Sequence, residues 1–413
     1  MSSPRPTGRG IAIRAVALST FLVLIAGCVE ITETAPGPLP ELSAVDMSAY
    51  VPTFSVEVDS LAFARMTERF SEDIEIPAEL SLWRDEALLL DAEGVEIEVK
   101  GNFSAAFPSK SLGVKFDRAL RQPDESGVVR FPALDPEHSL RRVKALRLRN
   151  GGNAFTSSFI KDLAYARLLP EADLELAFSY GEPAATYVNG AFYSLHNLRT
   201  ENNTNGLSRL LGVDEDRLSL ASVDFSNPLE VKQGREAFWR DFERALDAGD
   251  AETVAAAIDD ASFIDFVVAG GLFGVWDWPW TNVRLYAVDE GPIRFVLYDF
   301  DLASTLNTDF TVPEHMRAGD PNVVKQLFDS RYADEAFRDR LADRYAQIRE
   351  SGALHPDRLR RELRQLADQY DPIMRYQVER YGTPESTVAW YLAMETAARD
   401  YARRYDQLGP SLR

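Results

Sequence analysis

The stretch from Trp276 to Ser304, WDWPWTNVRLYAVDEGPIRFVLYDFDLAS, gathers three carboxylates and one amide around a predicted β-hairpin. Asp277 and Asn282 form D-x-x-x-x-N ahead of its first strand. Asp299 and Asp301 form D-x-D directly after the apolar run Phe295 to Tyr298. If the two acids continue the second strand, they face the same side with Cα atoms about 6.6 Å apart. Carboxylates at that spacing repel by about 3 kcal/mol at an effective dielectric of 20, and a divalent cation would remove the penalty. Mg²⁺ takes hard oxygen ligands, usually one or two carboxylates, and completes its shell with water and substrate phosphates. Taken singly, Asp299 ends a strand, Asp301 caps a turn and Asn282 opens a hairpin. In this order and spacing they read together as metal ligands, with Asn282, Asp299 and Asp301 the candidates.

A protein kinase catalytic loop has the same spacing. An Asp there orients the attacking hydroxyl, an Asn five residues on holds a metal ion, and a further Asp on the next hairpin serves the metal that bridges the phosphates. Asp277 is therefore the candidate catalytic residue, and the chemistry expected is phosphoryl transfer. Other chemistries find less support. The four histidines, His138, His196, His315 and His355, show no metal-ligand spacing, and neither a G-x-S-x-G elbow nor a Walker A motif occurs. Carboxylate pairs also serve glycoside hydrolysis, with Trp276, Trp278 and Trp280 available to stack on sugar or to pack beneath the loop. Asn282 at the fifth position favours the kinase reading.

At 413 residues the chain is long enough for one large two-lobed unit or two domains. Its formal charge is −20, and without residues 1 to 27, which hold three arginines and no acid, it becomes −23. So acidic a surface repels nucleic acid, which is excluded as a partner. Residues 1 to 27 read as a secretory signal, basic and then apolar from Ala15 to Ala26. That apolar run is too short for a bilayer, which needs roughly 20 residues. It ends in Ile25-Ala26-Gly27-Cys28, similar to the lipobox of bacterial lipoproteins, and Cys28 is the only cysteine. Lipidation at Cys28 would anchor the protein outside the cytoplasm, on the cell membrane or outer membrane. Residues 28 to 50, Pro-rich and acidic, read as an extended tether.

Short alternating strands follow: FSVEVD, IPAELSLW, LLLDA, VEIEVKG and SLGVKF between Phe54 and Phe116, then Val143 to Leu148. Helical spacing covers Thr156 to Leu169, and two strands, ATYV and FYSLHNL, flank the hairpin dipeptide Asn189-Gly190. Beyond Asn203 helical segments dominate: 235 to 248, 251 to 258, 262 to 275, 323 to 328, 333 to 351, 355 to 381 and 385 to 408. The expected fold is α+β and kinase-like, with a sheet-rich N-terminal lobe over residues 51 to 202 and a mainly helical C-terminal lobe over 203 to 413.

Four segments, VEIEVKGNFSAAFPSKSLGVKF, LRLRNGGNAFTSSFIKDLAYARL, TYVNGAFYSLHNLRTEN and the hairpin stretch, occur in an order that resembles the spore coat protein H (CotH) family of secreted, atypical protein kinases. The resemblance implies a minimal kinase fold, use of ATP with Mg²⁺ or Mn²⁺, and phosphorylation of Ser or Thr on secreted or envelope proteins. By motif, Asp277 is the catalytic-loop Asp, Asn282 the loop metal ligand, Asp299 the counterpart of the DFG Asp, and Asp301 a second candidate ligand. Gly101, Asn102 and Ser104 take the place of the phosphate-covering turn, and Lys115 or Lys110 that of the strand lysine on the nucleotide phosphates. Asp162 is the acid expected to pair with that lysine. The chain departs from the family pattern at Lys100, Ala154, Lys161 and Thr200, positions on the nucleotide side. Two other readings stay open: a catalytically degenerate scaffold or binding protein on this fold, and a kinase acting on glycans or small molecules.

Overall fold

The computed structural model describes residues 38–116, 144–224, 229–304 and 311–412. The expected signal segment, Cys28 and the first part of the expected tether lie outside the described residues. Where the tether was expected to be still extended, the chain is already folded. Ser43 and Asp46 form a capping box that opens the short helix α1 (Ala44–Met47), and Met47 and Val51 are buried. Leu42 offers its carbonyl to the Tyr187 hydroxyl. Residues 42 to 50 of the expected tether are thus folded rather than extended.

Seven strands close a barrel: β1 (Thr53–Glu57), β2 (Glu75–Arg84), β3 (Ala87–Lys100), β4 (Ser111–Phe116), β5 (Ala145–Arg149), β7 (Gly181–Val188) and β8 (Ala191–Arg199). Their order is β1-β2-β3-β4-β5-β8-β7, and a parallel pairing of β1 with β7 shuts it. LLLDA and VEIEVKG are one strand, β3. Gly94, at φ +71°, sits where the register against β2 slips, and the bulge lets the strand bend without ending. The helix α2 (Ser60–Glu68) lies between β1 and β2. Period-two alternation sends Phe54, Leu80, Ile97, Leu112, Val114, Leu146 and Leu148 into the barrel interior. The residues between them face the other way, and on β4, β5 and β8 these include Lys115, Arg147, Arg149, Asn197 and Arg199.

The second half is not only helical. A five-stranded sheet runs β10-β9-β11-β12-β6, formed by β6 (Ala177–Phe178), β9 (Leu218–Val223), β10 (Glu230–Gln233), β11 (Val283–Val288) and β12 (Arg294–Leu297). The hairpin is β11 and β12, and it lies inside this sheet between β9 and β6. Helical spacing over Thr156 to Leu169 narrows to α3 (Lys161–Ala166), because the preceding residues form turns with Phe159 at φ +58°. The remaining helices are α4 (Thr204–Leu211), α5 (Glu236–Asp247), α6 (Ala251–Ala257), α7 (Asp260–Phe273), α8 (Val312–Arg317), α9 (Val323–Tyr332), α10 (Glu335–Ser351), α11 (Pro356–Tyr381) and α12 (Thr387–Ser411). The fold is α+β. Residues Glu41–Arg413 form one compact unit, and no described helix is long and apolar enough to cross a membrane.

Two features of the core fix the site. Helix α7 is buried on every side from Ser262 to Phe273, as an all-round apolar helix must be, and Gly274 ends it in the left-handed region at φ +58°. Helix α11 crosses to the barrel. Gln377 Oε1 accepts from Leu195 N–H at 2.9 Å, and the Tyr370 hydroxyl donates to Asn197 Oδ1 at 3.2 Å.

Candidate active site

Strand β5 leads into the site. Leu146 and Leu148 fill the barrel, so Arg147 and Arg149 face outward, and Arg147 is paired in register with Arg199 on β8. Arg147 grips Glu201 through Nε at 3.2 Å and Nη2 at 3.1 Å. After Arg149 the chain turns through Asn150, which is fully buried and fully used. Its Nδ2 donates to the Ser109 carbonyl at 2.7 Å and to that of Ser104 at 3.2 Å, while its Oδ1 accepts from Ser111 Oγ and Gly152 N–H. Asn150 thereby ties the Gly101 to Ser104 turn to the end of β5.

Gly152, at φ +58°, brings the backbone so close to the hairpin that any Cβ there would collide with Asp301 Oδ2 and Arg149 Nη2. Next to it, Asn153 donates its backbone N–H to Asp301 Oδ2 at 2.8 Å. Helix α3 supplies the floor. Asp162 Oδ1 accepts from Phe300 N–H at 2.7 Å, and its Oδ2 lies 3.4 Å from both Arg149 Nε and Arg199 Nη1. Lys161 donates to the Ala303 carbonyl at 3.0 Å, and Phe300 is buried between Tyr165 and Phe273.

Asp299 and Asp301 do not continue β12. The strand stops at Leu297, Asp299 adopts φ +66°, and Asp301 opens a turn. The two carboxylates nevertheless converge, because both reach the same atom, Arg149 Nη2. Asp301 Oδ2 is 2.8 Å from it and Asp299 Oδ1 makes a direct ion pair. The charge repulsion foreseen between these acids is thus relieved by a guanidinium. Burial acts to lower the Arg149 pKa, but Asp299, Asp162 and Asp301 outweigh it and hold the group firmly charged. Burial pushes the Asp299 carboxyl upward, with Arg149 opposing and Asp301, Asp162 and Asp277 reinforcing.

Asp277 follows α7 by four residues, and the turn it begins is closed by Trp280 N–H on its carbonyl at 2.9 Å. Asn282, at φ +59°, points its amide back and donates to Asp277 Oδ2 at 2.8 Å. Oδ1 of Asp277 is buried with no hydrogen-bond partner among the described residues. Burial first, and then the charge of Asp301, push Asp277 up to about 6. Beneath the loop Trp278 is buried against Phe266, and Gly270 of α7 leaves room for its indole ring. Trp276, by contrast, is 52% exposed beside Asp277.

Neither expected lysine joins this group. Lys115, on β4, is ion-paired with Glu75 and, at 2.9 Å, with Glu98. Lys110 points to the barrel side, donating to the Ala105 carbonyl at 2.8 Å and lying over the Phe70 ring. Asp162 is paired with two arginines instead of a strand lysine, since Arg149 and Arg199 project from adjacent strands onto α3. The sequence signal for Arg149 was the alternation Leu-Arg-Leu-Arg running into Asn-Gly-Gly, which puts a cation at a strand end beside a backbone that can approach closely. In the phosphate-turn region, Gly101 sits at φ +108° and Asn102 is exposed.

Among the described residues no group of three or more His, Cys, Asp or Glu side chains is arranged to hold a metal ion. The donor chemistry of Asp299, Asp301 and the Asn282 amide oxygen still fits a hard divalent cation, as does the unpartnered Asp277 oxygen beside them. A family model described as CotH kinase protein matches residues 97–407. The chain belongs to the CotH family. The match spans β3 to α12 and so takes in every residue of the site. No curated protein sequence matches the chain. At the positions where this CotH chain departs from the family pattern, Lys100 is ion-paired with Glu98 at 2.7 Å, Ala154 is buried, and Thr200 Oγ1 accepts from Tyr180 N–H at 3.0 Å.

Proposed function

We propose that this CotH protein is a kinase-like phosphotransferase, moving the γ-phosphoryl of ATP to Ser or Thr of secreted or envelope proteins. The reading includes a kinase-like two-lobed arrangement, with the barrel on the nucleotide side, and a lipid on Cys28 that holds the enzyme outside the cytoplasm. The observation that carries it is that Asn282 holds Asp277 while Asp299 and Asp301 converge on Arg149, the two pairs near enough for their charges to act on one another. Asp277 feels the charge of Asp301, and Asp299 feels that of Asp277. Asn282, Asp299 and Asp301 would hold Mg²⁺ or Mn²⁺, which when bound neutralises charge on the phosphates.

The chain's own residues supply the rest. Asp277, held by Asn282 with one oxygen unpartnered, accepts a hydrogen bond from the acceptor hydroxyl and orients it toward the phosphate. A carboxylate near pKa 6 is mostly ionised at neutral pH and suited to take up the hydroxyl proton. The Gly101 to Ser104 turn, tied to β5 through Asn150, offers backbone N–H groups to the nucleotide. Catalysis is then positioning plus charge stabilisation.

One observation favours a second reading, a catalytically silent binding protein: Arg149 already neutralises the two acids that a metal needs. Transfer of radiolabel from ATP with Mg²⁺ or Mn²⁺ to co-purified envelope proteins separates the two. Asp277→Ala and Asp299→Ala should each abolish labelling. Labelling that survives either change removes that residue from the mechanism, and no labelling with any acceptor favours the silent protein.

A further inference from the structure

We propose that Arg149 is a displaceable stand-in for the metal ion and, once displaced, the cation that grips the nucleotide phosphates. The inference rests on the phosphotransferase reading and adds the residue that would exchange partners when metal and nucleotide bind.

The geometry separates what can move from what cannot. The Arg149 backbone is pinned at the end of β5, because Asn150 is buried in five hydrogen bonds and Gly152 is wedged against Asp301. Only the guanidinium can be re-aimed. It is held through two nitrogens. Nη2 serves Asp299 and Asp301, while Nε faces Asp162 at 3.4 Å. Asp162 is fixed independently by Phe300 N–H and Arg199. A divalent cation that takes Asp299 and Asp301 therefore removes the partners of Nη2 and leaves Nε facing Asp162. The planar head stays tethered through Nε, while Nη2 loses both of its partners. The released N–H groups of Nη2 suit the oxygens of a phosphate.

Charge points the same way. Arg149 is charged at any working pH, so it cannot make room by losing a proton. It must find another anion, and the anion that arrives with the metal is the polyphosphate. The alternatives on neighbouring strands are committed elsewhere: Lys115 to Glu75 and Glu98, Lys110 to the Ala105 carbonyl, and Arg147 to Glu201. Arg199 stays on Asp162. Only Arg149 has partners that the metal itself would claim.

The test measures two affinities on the full folded chain: Mn²⁺ alone by electron paramagnetic resonance, and AMP-PNP with Mg²⁺ by calorimetry. In Arg149→Gln the Mn²⁺ affinity should rise and the nucleotide affinity should fall, each by roughly tenfold or more. Arg149→Lys, which keeps the charge and the fold, should fall between wild type and Arg149→Gln in both. Opposite signs are the signature, since a merely structural arginine would weaken both ligands together and lower the melting temperature. Unchanged affinities, or losses of the same sign in Arg149→Lys, would overturn the inference and leave the phosphotransferase reading intact. A wild-type protein that binds neither Mn²⁺ nor Mg²⁺ with nucleotide would overturn that reading itself.

Discussion

Gly152 and Asp301 lie closer than an L-side chain permits: a Cβ on Gly152 would stand 1.9 Å from Asp301 Oδ2. The contact presses the Gly-Gly turn after β5 onto the turn after β12, and Asn153 N–H seals it at 2.8 Å. Gly152→Ala adds the clash to a backbone at φ +58°, which alone costs of order 1–3 kcal/mol for a residue other than glycine. Chemical denaturation should show at least that loss, and nucleotide-induced thermal stabilisation should disappear. A variant with wild-type stability would mean that the two turns are free to separate.

Phe300 separates the two acids and anchors them from below, fully buried between Tyr165 and Phe273. Phe300→Ala should cost about 3–5 kcal/mol in stability, whereas Phe300→Leu should be milder and keep the N–H bond to Asp162. If Phe300 positions the acids, phosphate transfer should fall further in Phe300→Ala than the folded fraction alone explains. Transfer that tracks the folded fraction would reduce Phe300 to packing.

His196 is buried and neutral. Its Nε2 faces the Lys110 carbonyl at 3.0 Å and so donates, which leaves Nδ1 to accept from Thr186 Oγ1 at 2.8 Å. Burial lowers its pKa to about 4 from the ordinary 6.5. Between those values the unfolded chain binds a proton that the folded chain does not, so stability is present above pH 6.5 and drains as the pH falls toward 4. The loss is on the order of 3 kcal/mol over that window. Urea titrations at pH 7 and pH 5 should show it in wild type and show less of it in His196→Gln. An identical pH slope in both proteins would place the acid sensitivity elsewhere.

Gln377 donates nothing to β8 but receives much, accepting Leu195 N–H at 2.9 Å and Ser194 Oγ at 3.1 Å. Gln377→Leu is similar in size and leaves the Leu195 amide buried without a partner, at a cost of about 1–3 kcal/mol. Amide exchange at Leu195 should accelerate more than exchange within α7. Equal protection at Leu195 in variant and wild type would show that water or another group replaces the glutamine.

The hairpin, its flanking acids and most helices were legible because each carries a local pattern: period-two runs, a D-x-x-x-x-N loop, long amphipathic repeats. The second sheet was not. Leu218 to Val223 pairs on one side with the short β10 that follows it and on the other with β11, sixty residues on, and nothing in the local pattern announces the second. Helix α1 was hidden in a Pro-rich stretch, although Ser43 and Asp46 are a readable capping pair. The Asp299 and Asp301 side chains were expected on one strand face, yet they meet through a left-handed residue and a turn. The partner of those acids was sought among lysines. Arginine supplied it, because a fork can serve several carboxylates at once, and only the folded chain brings β5 against the turn after β12.

Helix α11 reaches from the helical half to the middle of β8, and its grip there consists of hydrogen bonds made by the buried side chains of Gln377 and Tyr370. The barrel and the helices are consequently fastened like a door bolted across its hinge. Any motion that parts α11 from β8 has to break the Gln377 and Tyr370 anchors together.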